Sequence, residues 1–295
     1  MSWIREKSLN WLQLLCVKVI RSGGVPKHVA FIMDGNRRYA EKNKVEKIEG
    51  HTKGFDKLAE TLQWCLDLGI PEVTVYAFSI ENFKRSTDEV NALLELARQK
   101  FQRLLSERDK LMEHGVCVRV IGNLALLPED IRKLIAEAMF ITKENNKAFL
   151  NVAFSYTARD EITNAVKSIV AGVERKVLLP SDISQELITN SLYTNNSPNP
   201  ELVIRTSGEV RLSDFLLWQI SCSCIYFTKV LWPEFTFWHM LAAVFYYQRC
   251  KEDLVDINRF EANVSAPSNC RIDTFLTELN AYRTAKSEEV GQVVA

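Results

Sequence analysis

Several short motifs that mark common enzyme classes are missing from this sequence. It contains no GxxxxGK[ST] motif, which disfavours a P-loop nucleotide hydrolase, and no GxGxxG motif of the dinucleotide-binding type. The GxSxG turn that carries the nucleophilic serine of α/β-hydrolases is also missing. The chemistry must therefore be sought in other clusters of polar residues.

The sequence also lacks a long apolar run and a cleavable leader. No run reaches the roughly 18–20 residues of a membrane-spanning helix. Residues 1–25 are predicted to form an amphipathic helix, but this segment carries Arg5, Glu6 and Lys7 and has no small-residue cleavage motif, so it does not read as a signal peptide. Such a helix fits against another protein, a bilayer surface or the chain's own core, and the sequence leaves these alternatives open.

Neither sign of charge is in excess, and the cysteines form no metal-binding pattern. Lys plus Arg and Asp plus Glu each number 37, so the net charge gives no reason to expect nucleic acid as a partner. The 7 cysteines include no CxxC pair and no Cys/His set with zinc spacing. We expect them to be reduced and to pack as small core residues, as in the cytosol. A site for an anion would need local clustering of arginines.

Short apolar segments alternate with helical patterns along most of the chain. Strands are predicted at 28–33, 73–78, 116–121, 149–154, 202–204 and 225–227. Helices are predicted at about 52–68, 88–113, after Pro128, at 159–173, 237–248 and about 272–282. This alternation predicts an α/β fold with a central, mainly parallel six-stranded sheet flanked by helices. Residues 26–250 would form this domain, and the more polar residues 251–295 a C-terminal tail with a disordered end.

Polar loops follow three of the predicted strands, where ligands bind in open parallel sheets. The first loop places Asp34 and Gly35 before two arginines at a helix start, a setting that suits an anion. One carboxylate among such donors suits a phosphate if a cation lies between them, and Mg²⁺ prefers one or two carboxylates plus phosphate oxygens. Asp34 is therefore a candidate metal ligand or general base, although an Asp-Gly-Asn turn alone is also common.

The third loop is denser in anion-binding groups. Arg205 and Arg211 lie six residues apart among hydroxyl side chains and a glycine. Guanidinium groups bind phosphate through paired hydrogen bonds, so this loop suits a diphosphate. Arg85 of the second loop would add a further donor. A solvated loop with surface ion pairs is the alternative.

Ordered motifs at these loops resemble those of the cis-prenyltransferases. The matching stretches lie at 28–40, 50–54, 76–86, 204–219 and 230–235, in the order and spacing of the family, and span about residues 26–248. The residues in these motifs are most similar to those of the dehydrodolichyl diphosphate synthase branch of animals. The resemblance implies the undecaprenyl diphosphate synthase-like fold.

The resemblance also implies a Mg²⁺-dependent transferase. Such enzymes condense isopentenyl diphosphate onto an allylic primer such as farnesyl diphosphate, and every new double bond is cis. In the animal branch the long-chain polyprenyl (dehydrodolichyl) diphosphate serves dolichol synthesis and protein glycosylation. The DDxxD motifs of trans-type synthases are missing here, which agrees with the cis class.

The resemblance assigns roles residue by residue. Asp34 would coordinate Mg²⁺ on the substrate diphosphate, and Asn36, His51 and Asn82 would join it as catalytic residues. The allylic diphosphate would be held by Gly35, Asn36, Arg37, Arg38 and Lys47, with His51 nearby. Isopentenyl diphosphate would be held by Arg85, Arg205, Arg211 and Ser213, and the reacting pair oriented by Ser79, Asn82 and Phe83. The proton acceptor stays open between diphosphate oxygen, Asn36 and His51.

Two departures from homodimeric family members imply a partner. Those members have a metal-site glutamate where this sequence has Cys224, a poor Mg²⁺ ligand, and an Arg-x-Gly segment near the C-terminus that we do not find here. Both departures are similar to eukaryotic subunits that work with a non-catalytic partner of the Nogo-B receptor type. That partner would supply the segment and the anchor to the cytosolic face of the endoplasmic reticulum.

Two other readings compete with this one. The first is a non-catalytic family member that binds a partner or a lipid, which the retained Asp34, Arg205 and Arg211 disfavour. The altered tail after about residue 250 favours it weakly. The second is an unrelated phosphate-binding α/β enzyme, which would require the ordered motifs to be coincidental.

Overall fold

Six strands form one sheet in the order β3-β4-β2-β1-β5-β6. The strands are β1 His28–Ile32, β2 Glu72–Ser79, β3 Val116–Ile121, β4 Ala148–Tyr156, β5 Leu202–Arg205 and β6 Cys224–Phe227. All neighbouring pairs are parallel, which confirms the predicted α/β fold class. This computed structural model describes the backbone of residues 9–262 and 269–292, with side chains described for 9–254 and 269–285.

Helices connect the strands and cover the sheet. They are α1 Trp11–Ser22, α2 Asn36–Asn43, α3 Lys47–Leu68, α4 Thr87–Ser106, α5 Arg108–His114, α6 Glu129–Thr142, α7 Ala158–Glu174, α8 Gln185–Ser191, α9 Phe237–Ala262 and α10 Cys270–Gln292. Among the helices in the described ranges, none is long and apolar enough to cross a membrane.

The strand residues alternate between two apolar layers. Val29 and Phe31 of β1 join the larger core cluster, whereas Ala30 and Ile32 join the smaller one on the opposite face. Successive strand side chains point to opposite faces, so a strand buried on both sides must be apolar throughout. This explains why β1 is apolar from Val29 to Ile32 and why, after its first residue His28, polar side chains come only where the strand ends.

Several helices differ in extent from the sequence prediction, two of them by a break or a long extension. The single helix expected at 88–113 is two helices, because Glu107 leaves helical geometry (φ −106°, ψ 19°) and forms the cap of both. The helix α9 continues to Ala262 rather than ending near residue 248. The residues that extend α9 beyond the predicted end are mostly polar. They include Lys and Glu, which are good helix formers, so a polar sequence does not by itself predict where a helix ends.

The N-terminal helix α1 is docked on the chain's own core along one face. Its start is fixed by a capping box in which Asn10 and Gln13 exchange hydrogen bonds with each other's backbone. Val17 is buried in the larger core cluster, but Trp11 and Val19 on the outer side are 77% and 62% exposed. The structure thus confirms docking on the core and leaves the outer apolar face uncovered.

The predicted tail contains α10, which packs against the domain that precedes it. Phe275 is buried with Ile169 and Leu178 in a third core cluster. Arg271 donates two hydrogen bonds to Asp182, at 2.8 and 2.7 Å. The predicted helix at about 272–282 lies within α10, which continues to Gln292, so the disordered end expected after that helix is helical up to residue 292, and residues 293–295 lie outside the described ranges.

Candidate active site

The loops that follow β1 and β5 are joined at the carboxyl edge of the sheet. In the parallel register Ile32 lies beside Arg205, so both strands end at the same level. The guanidinium of Arg205 donates to Asp34 Oδ2 at 2.8 Å. The Asp34 N–H donates to Thr206 Oγ1 at 3.0 Å, and the Thr206 hydroxyl donates back to the Asp34 carbonyl at 2.7 Å. The two loops therefore hold Asp34 from three directions.

Opposing influences set the pKa of Asp34. Partial burial raises it, but the hydrogen bond and positive charge of Arg205, with the Gly35 N–H and the Ser207 hydroxyl, outweigh burial and hold the pKa below its usual value. The carboxylate is therefore ionised at neutral pH. Its side chain is 33% exposed, so a ligand can reach it.

Gly35 and Asn36 begin α2 in a confined space. Gly35 has φ 109°, a left-handed conformation, and an added Cβ would lie 3.1 Å from the Leu231 backbone. The Asn36 side chain sits against Gly54, where a Cβ would come within 2.3 Å of Asn36 Oδ1. This buried oxygen has no hydrogen-bond partner. The amide is thus held by packing against α3, with its oxygen buried and unpaired.

Arg205 is the most buried cation of the site. Its side chain is 3% exposed. Besides Asp34, it donates to Ser213 Oγ at 2.7 Å and to the Arg211 carbonyl oxygen. Its Nε is buried without a partner. Arg205 therefore organises the third loop, whereas the side chain of Arg211 is 67% exposed and pairs with Glu209.

Arg38 connects the first and third loops. Its guanidinium donates to Ser207 Oγ at 2.5 Å and lies 3.9 Å from Asp34 Oδ2 and 3.6 Å from Glu209 Oε1. We call the set Asp34, Arg38, Arg205, Glu209 and Arg211 the Asp34 cluster. It brings together, as the sequence predicts, the arginines of two loops that are far apart in the chain.

A second cluster forms around Glu89 in the first turn of α4. Its carboxylate accepts a hydrogen bond from Arg85 at 2.8 Å and lies 3.9 Å from both Arg37 and Lys47. We call Glu89, Arg37, Lys47 and Arg85 the Glu89 cluster. Sequence reasoning missed Glu89, although its position four residues after Arg85 at a helix start is typical of an ion pair along the chain.

His51 lies beside the Glu89 cluster and is neutral at pH 7. Burial lowers its pKa most, the positive charges of Arg85 and Arg37 lower it further, and Glu89 only partly opposes them, which leaves the pKa at about 4. Its Nε2 is buried without a hydrogen-bond partner. The imidazole therefore offers a neutral polar atom inside a cationic site.

The second loop residues mostly bind one another. The Ser79 N–H donates to Asn82 Oδ1 at 2.9 Å, and the Glu81 N–H donates to Ser79 Oγ at 3.2 Å. Phe83 packs edge-on against Phe78, with ring centroids 5.0 Å apart. These contacts hold the turn Ile80–Lys84 in the shape that presents Arg85 to the site.

The carboxylate of Asp34 is suited to Mg²⁺ only if substrate oxygens complete the coordination of the ion. Within the part of the chain that the structure describes, no three Asp, Glu, His or Cys side chains converge as a metal site. Asp34 is ionised, partly exposed and surrounded by groups that suit phosphate. This donor set fits Mg²⁺, which keeps waters and binds through one or two carboxylates plus phosphate oxygens.

Cys224 does not face Asp34. It begins β6 opposite Leu202, three residues before the Arg205 end of β5, so it lies about 10 Å back along the strand direction. Its thiol is buried, and burial together with the neighbouring Cys250 raises its pKa to about 12. A thiol of this kind is an inert core group.

An apolar layer lies beside the polar edge, between the sheet and the helices α3 to α5. Phe78, Phe101 and Phe154 are buried there in contact with one another. At the opposite end of the strands this layer contains a small cavity of about 40 Å³, lined by Leu62, Leu66, Val73, Leu111, Val116 and Leu150 among others. The polar site is thus backed on one side by a packed apolar layer.

Fold and site define a parallel α/β enzyme with two cationic clusters side by side at the carboxyl edge of the sheet. The chain belongs to the cis-prenyltransferase family, since the family model described as putative undecaprenyl diphosphate synthase matches residues 32–254. The resemblance inferred from the sequence motifs is thereby confirmed.

Relatives and solved structures agree with this assignment. The chain is 61% identical to the human dehydrodolichyl diphosphate synthase complex subunit DHDDS over 248 residues, 84% of this chain and 74% of that one. It is 47% identical to a tritrans,polycis-undecaprenyl-diphosphate synthase of Pyrococcus furiosus, over 73% of this chain and 81% of the relative. A crystal structure of lavandulyl diphosphate synthase from Lavandula x intermedia with dimethylallyl diphosphate matches with a TM-score of 0.72 and 34% identity, over 76% and 95% of the two chains.

Proposed function

We propose that this chain condenses isopentenyl diphosphate onto farnesyl diphosphate, or a similar allylic primer, with cis double bonds. The product is a long-chain polyprenyl diphosphate for dolichol synthesis and protein glycosylation. The observation that carries this proposal is the pair of cationic clusters, one around Asp34 and one around Glu89, with the ionised and reachable carboxylate of Asp34 in the first. Two clusters suit two diphosphates held side by side.

The Glu89 cluster holds the allylic diphosphate. Arg37 and Lys47 are 50% and 59% exposed, so their charged ends can turn to a ligand. The Nε2 of His51 lacks a partner in the same region, and the neutral imidazole can donate an N–H to a diphosphate oxygen. Arg85 was expected at the isopentenyl diphosphate, but its contacts group it with the allylic side, and we propose that role for it.

The third loop holds isopentenyl diphosphate. Arg211 is exposed and supplies a movable guanidinium, whereas Arg205 is buried and keeps Ser213 and the loop backbone in place. Arg38 lies between the clusters and reaches Ser207 and Asp34. Holding the two reactants in this way replaces a bimolecular encounter by an oriented one.

Loss of the allylic diphosphate develops negative charge on the leaving group, and the site is built to meet that charge. The site already contains three converging guanidinium groups before the reaction begins, those of Arg37, Arg38 and Arg85. Mg²⁺ held by Asp34 and substrate oxygens would add Lewis-acid stabilisation of the same charge. The apolar layer behind Phe78 and Phe83 excludes water from the reacting carbons and accommodates the prenyl chain.

The chain acts with a partner at the cytosolic face of the endoplasmic reticulum. The human relative is named as a subunit of a complex. Cys224 supplies no carboxylate to the metal site. We propose that a non-catalytic subunit of the Nogo-B receptor type completes the site and brings the pair to the membrane surface.

Incorporation of labelled isopentenyl diphosphate tests the proposal. The chain would be assayed with farnesyl diphosphate and Mg²⁺, alone and assembled with a Nogo-B receptor-type partner, and the products separated by length. We expect long cis-polyprenyl diphosphates from the assembled pair and little product from the chain alone. An assembled pair that makes no product would instead support a non-catalytic subunit.

A further inference from the structure

We infer that Glu89 is a positioning residue that gathers the cations of the allylic site before substrate arrives. This inference rests on the proposed function, since it concerns the same site. Glu89 contacts three cations from three different segments: Arg37 of α2, Lys47 at the start of α3 and Arg85 after the turn Ile80–Lys84. None of these segments is otherwise tied to the other two by an ion pair among the described residues.

The exposure of the four side chains sets which of them a ligand meets first. The Glu89 side chain is 13% exposed, whereas Arg37 and Lys47 are 50% and 59% exposed and Arg85 is 24% exposed. The carboxylate therefore lies behind its cations. An incoming diphosphate contacts the guanidinium and ammonium groups on their outer side, and Glu89 holds them from the inner side.

The cations would otherwise repel one another. Burial and the charge of Arg37 lower the pKa of Arg85, and Glu89 opposes that shift through its charge and its hydrogen bond. The same set of charges acts on His51, where Arg85 and Arg37 lower the pKa and Glu89 raises it. Without Glu89, the like charges at this site would spread apart, and binding would have to restore their arrangement.

Glu89 also competes with a diphosphate for these cations. Arg37 and Lys47 lie 3.9 Å from it, beyond hydrogen-bond distance, and only Arg85 is bonded at 2.8 Å. Their donors remain available for phosphate oxygens, which bind guanidinium strongly. The geometry therefore favours organisation of the site over its blockage.

The test compares Glu89→Gln and Glu89→Asp with Glu95→Gln. Glu95 is a matched control because it lies on the same helix, pairs with Arg98 and is 52% exposed. Each variant would be assembled with the partner subunit, and KM would be measured for each substrate separately. Affinity for inorganic pyrophosphate would be measured by calorimetry, which needs no turnover.

We expect Glu89→Gln to raise the KM for the allylic diphosphate by about 5- to 10-fold and to weaken pyrophosphate binding similarly, with the KM for isopentenyl diphosphate unchanged within about 2-fold. Glu89→Asp keeps the charge and should recover part of the loss, and Glu95→Gln should match the wild type. Unchanged or lower allylic KM in Glu89→Gln would overturn the inference while leaving the proposed function intact. A wild type that neither turns over nor binds pyrophosphate would overturn both.

Discussion

Arg205 donates a hydrogen bond to Asp34 at 2.8 Å across 171 residues of sequence, and this contact joins the ends of two neighbouring strands. The arginine is 3% exposed and the carboxylate 33% exposed. Arg205 is therefore structural, whereas Asp34 can be reached by a ligand. The contact keeps the Asp34 carboxylate ionised. It also holds in place the loop that carries Arg211.

Arg205→Lys should damage both stability and substrate binding. A lysine ammonium cannot reach Asp34, Ser213 and the Arg211 carbonyl together, as the guanidinium does. Because Asp34 is partly exposed, we expect a loss of about 1–3 kcal/mol in the free energy of unfolding rather than the full cost of a broken buried pair. The KM for isopentenyl diphosphate should rise about 10-fold or more.

Denaturant unfolding and steady-state kinetics would measure both effects. Arg175→Lys is the matched control, since Arg175 pairs with Glu278 on the surface and both side chains are about half exposed. If the two variants behaved alike, Arg205 would not organise the site.

His51 should make stability depend on pH in the mildly acidic range. Its folded pKa of about 4 lies below the ordinary value of 6.5, so between these values the unfolded chain binds the extra proton. The stability that neutral His51 contributes is therefore complete above pH 6.5 and declines as pH falls toward 4.

His51→Asn removes this titration, so the slope of unfolding free energy against pH should be shallower in the variant between pH 4.5 and 6.5. Urea unfolding of the two proteins at a series of pH values measures the difference. Equal slopes would show that the folded pKa of His51 is close to its ordinary value.

Gly54→Ala should disturb Asn36 with little effect on the fold. The added Cβ would lie 2.3 Å from Asn36 Oδ1, so the amide must move. Alanine is intrinsically better than glycine inside a helix by about 1 kcal/mol, which should offset much of the strain on α3. We therefore expect the turnover rate to fall about 10-fold or more with little change in melting temperature.

Gly23→Ala is the control for this substitution. Its Cβ would meet the Gln248 side chain at 2.8 Å, away from the site, and that side chain can move aside. Turnover of this variant should equal that of the wild type. A Gly54→Ala protein with wild-type turnover would exclude a catalytic role for the position of Asn36.

The parts of the fold that the sequence predicted are those governed by local pattern. The segments around Phe31, Val75 and Val152 are largely apolar, with the polar Thr74 and Asn151 inside two of them, as is typical of strands buried on both faces, so their place in a parallel sheet could be predicted. The loops after these strands then had to meet at one edge. The Asp34 cluster follows from this rule and from the density of arginines in two loops.

The rest depended on tertiary contacts that leave no local signal. Glu89 reads as an ordinary acid in a helix's first turn, and only the fold brings Arg37 and Lys47 to it. Phe275 lies in a polar stretch, and its burial against α7 could not be predicted from periodicity alone. No glycine or proline marks the break at Glu107, so it could not be predicted from the sequence.

The most direct test of this account is the rate of product formation by Asp34→Asn in the assembled pair. Asparagine keeps the size of the side chain and an oxygen that can accept from Arg205, but it removes the acceptor for either Arg205 or the Gly35 N–H and the charge that would hold Mg²⁺. We predict that turnover falls about 100-fold or more while pyrophosphate binding stays close to wild type and the protein stays folded, with a stability loss of about 1–3 kcal/mol because Arg205 loses its charged partner. A variant that makes polyprenyl diphosphate at the wild-type rate would contradict the account, since its chemistry requires an ionised carboxylate at residue 34.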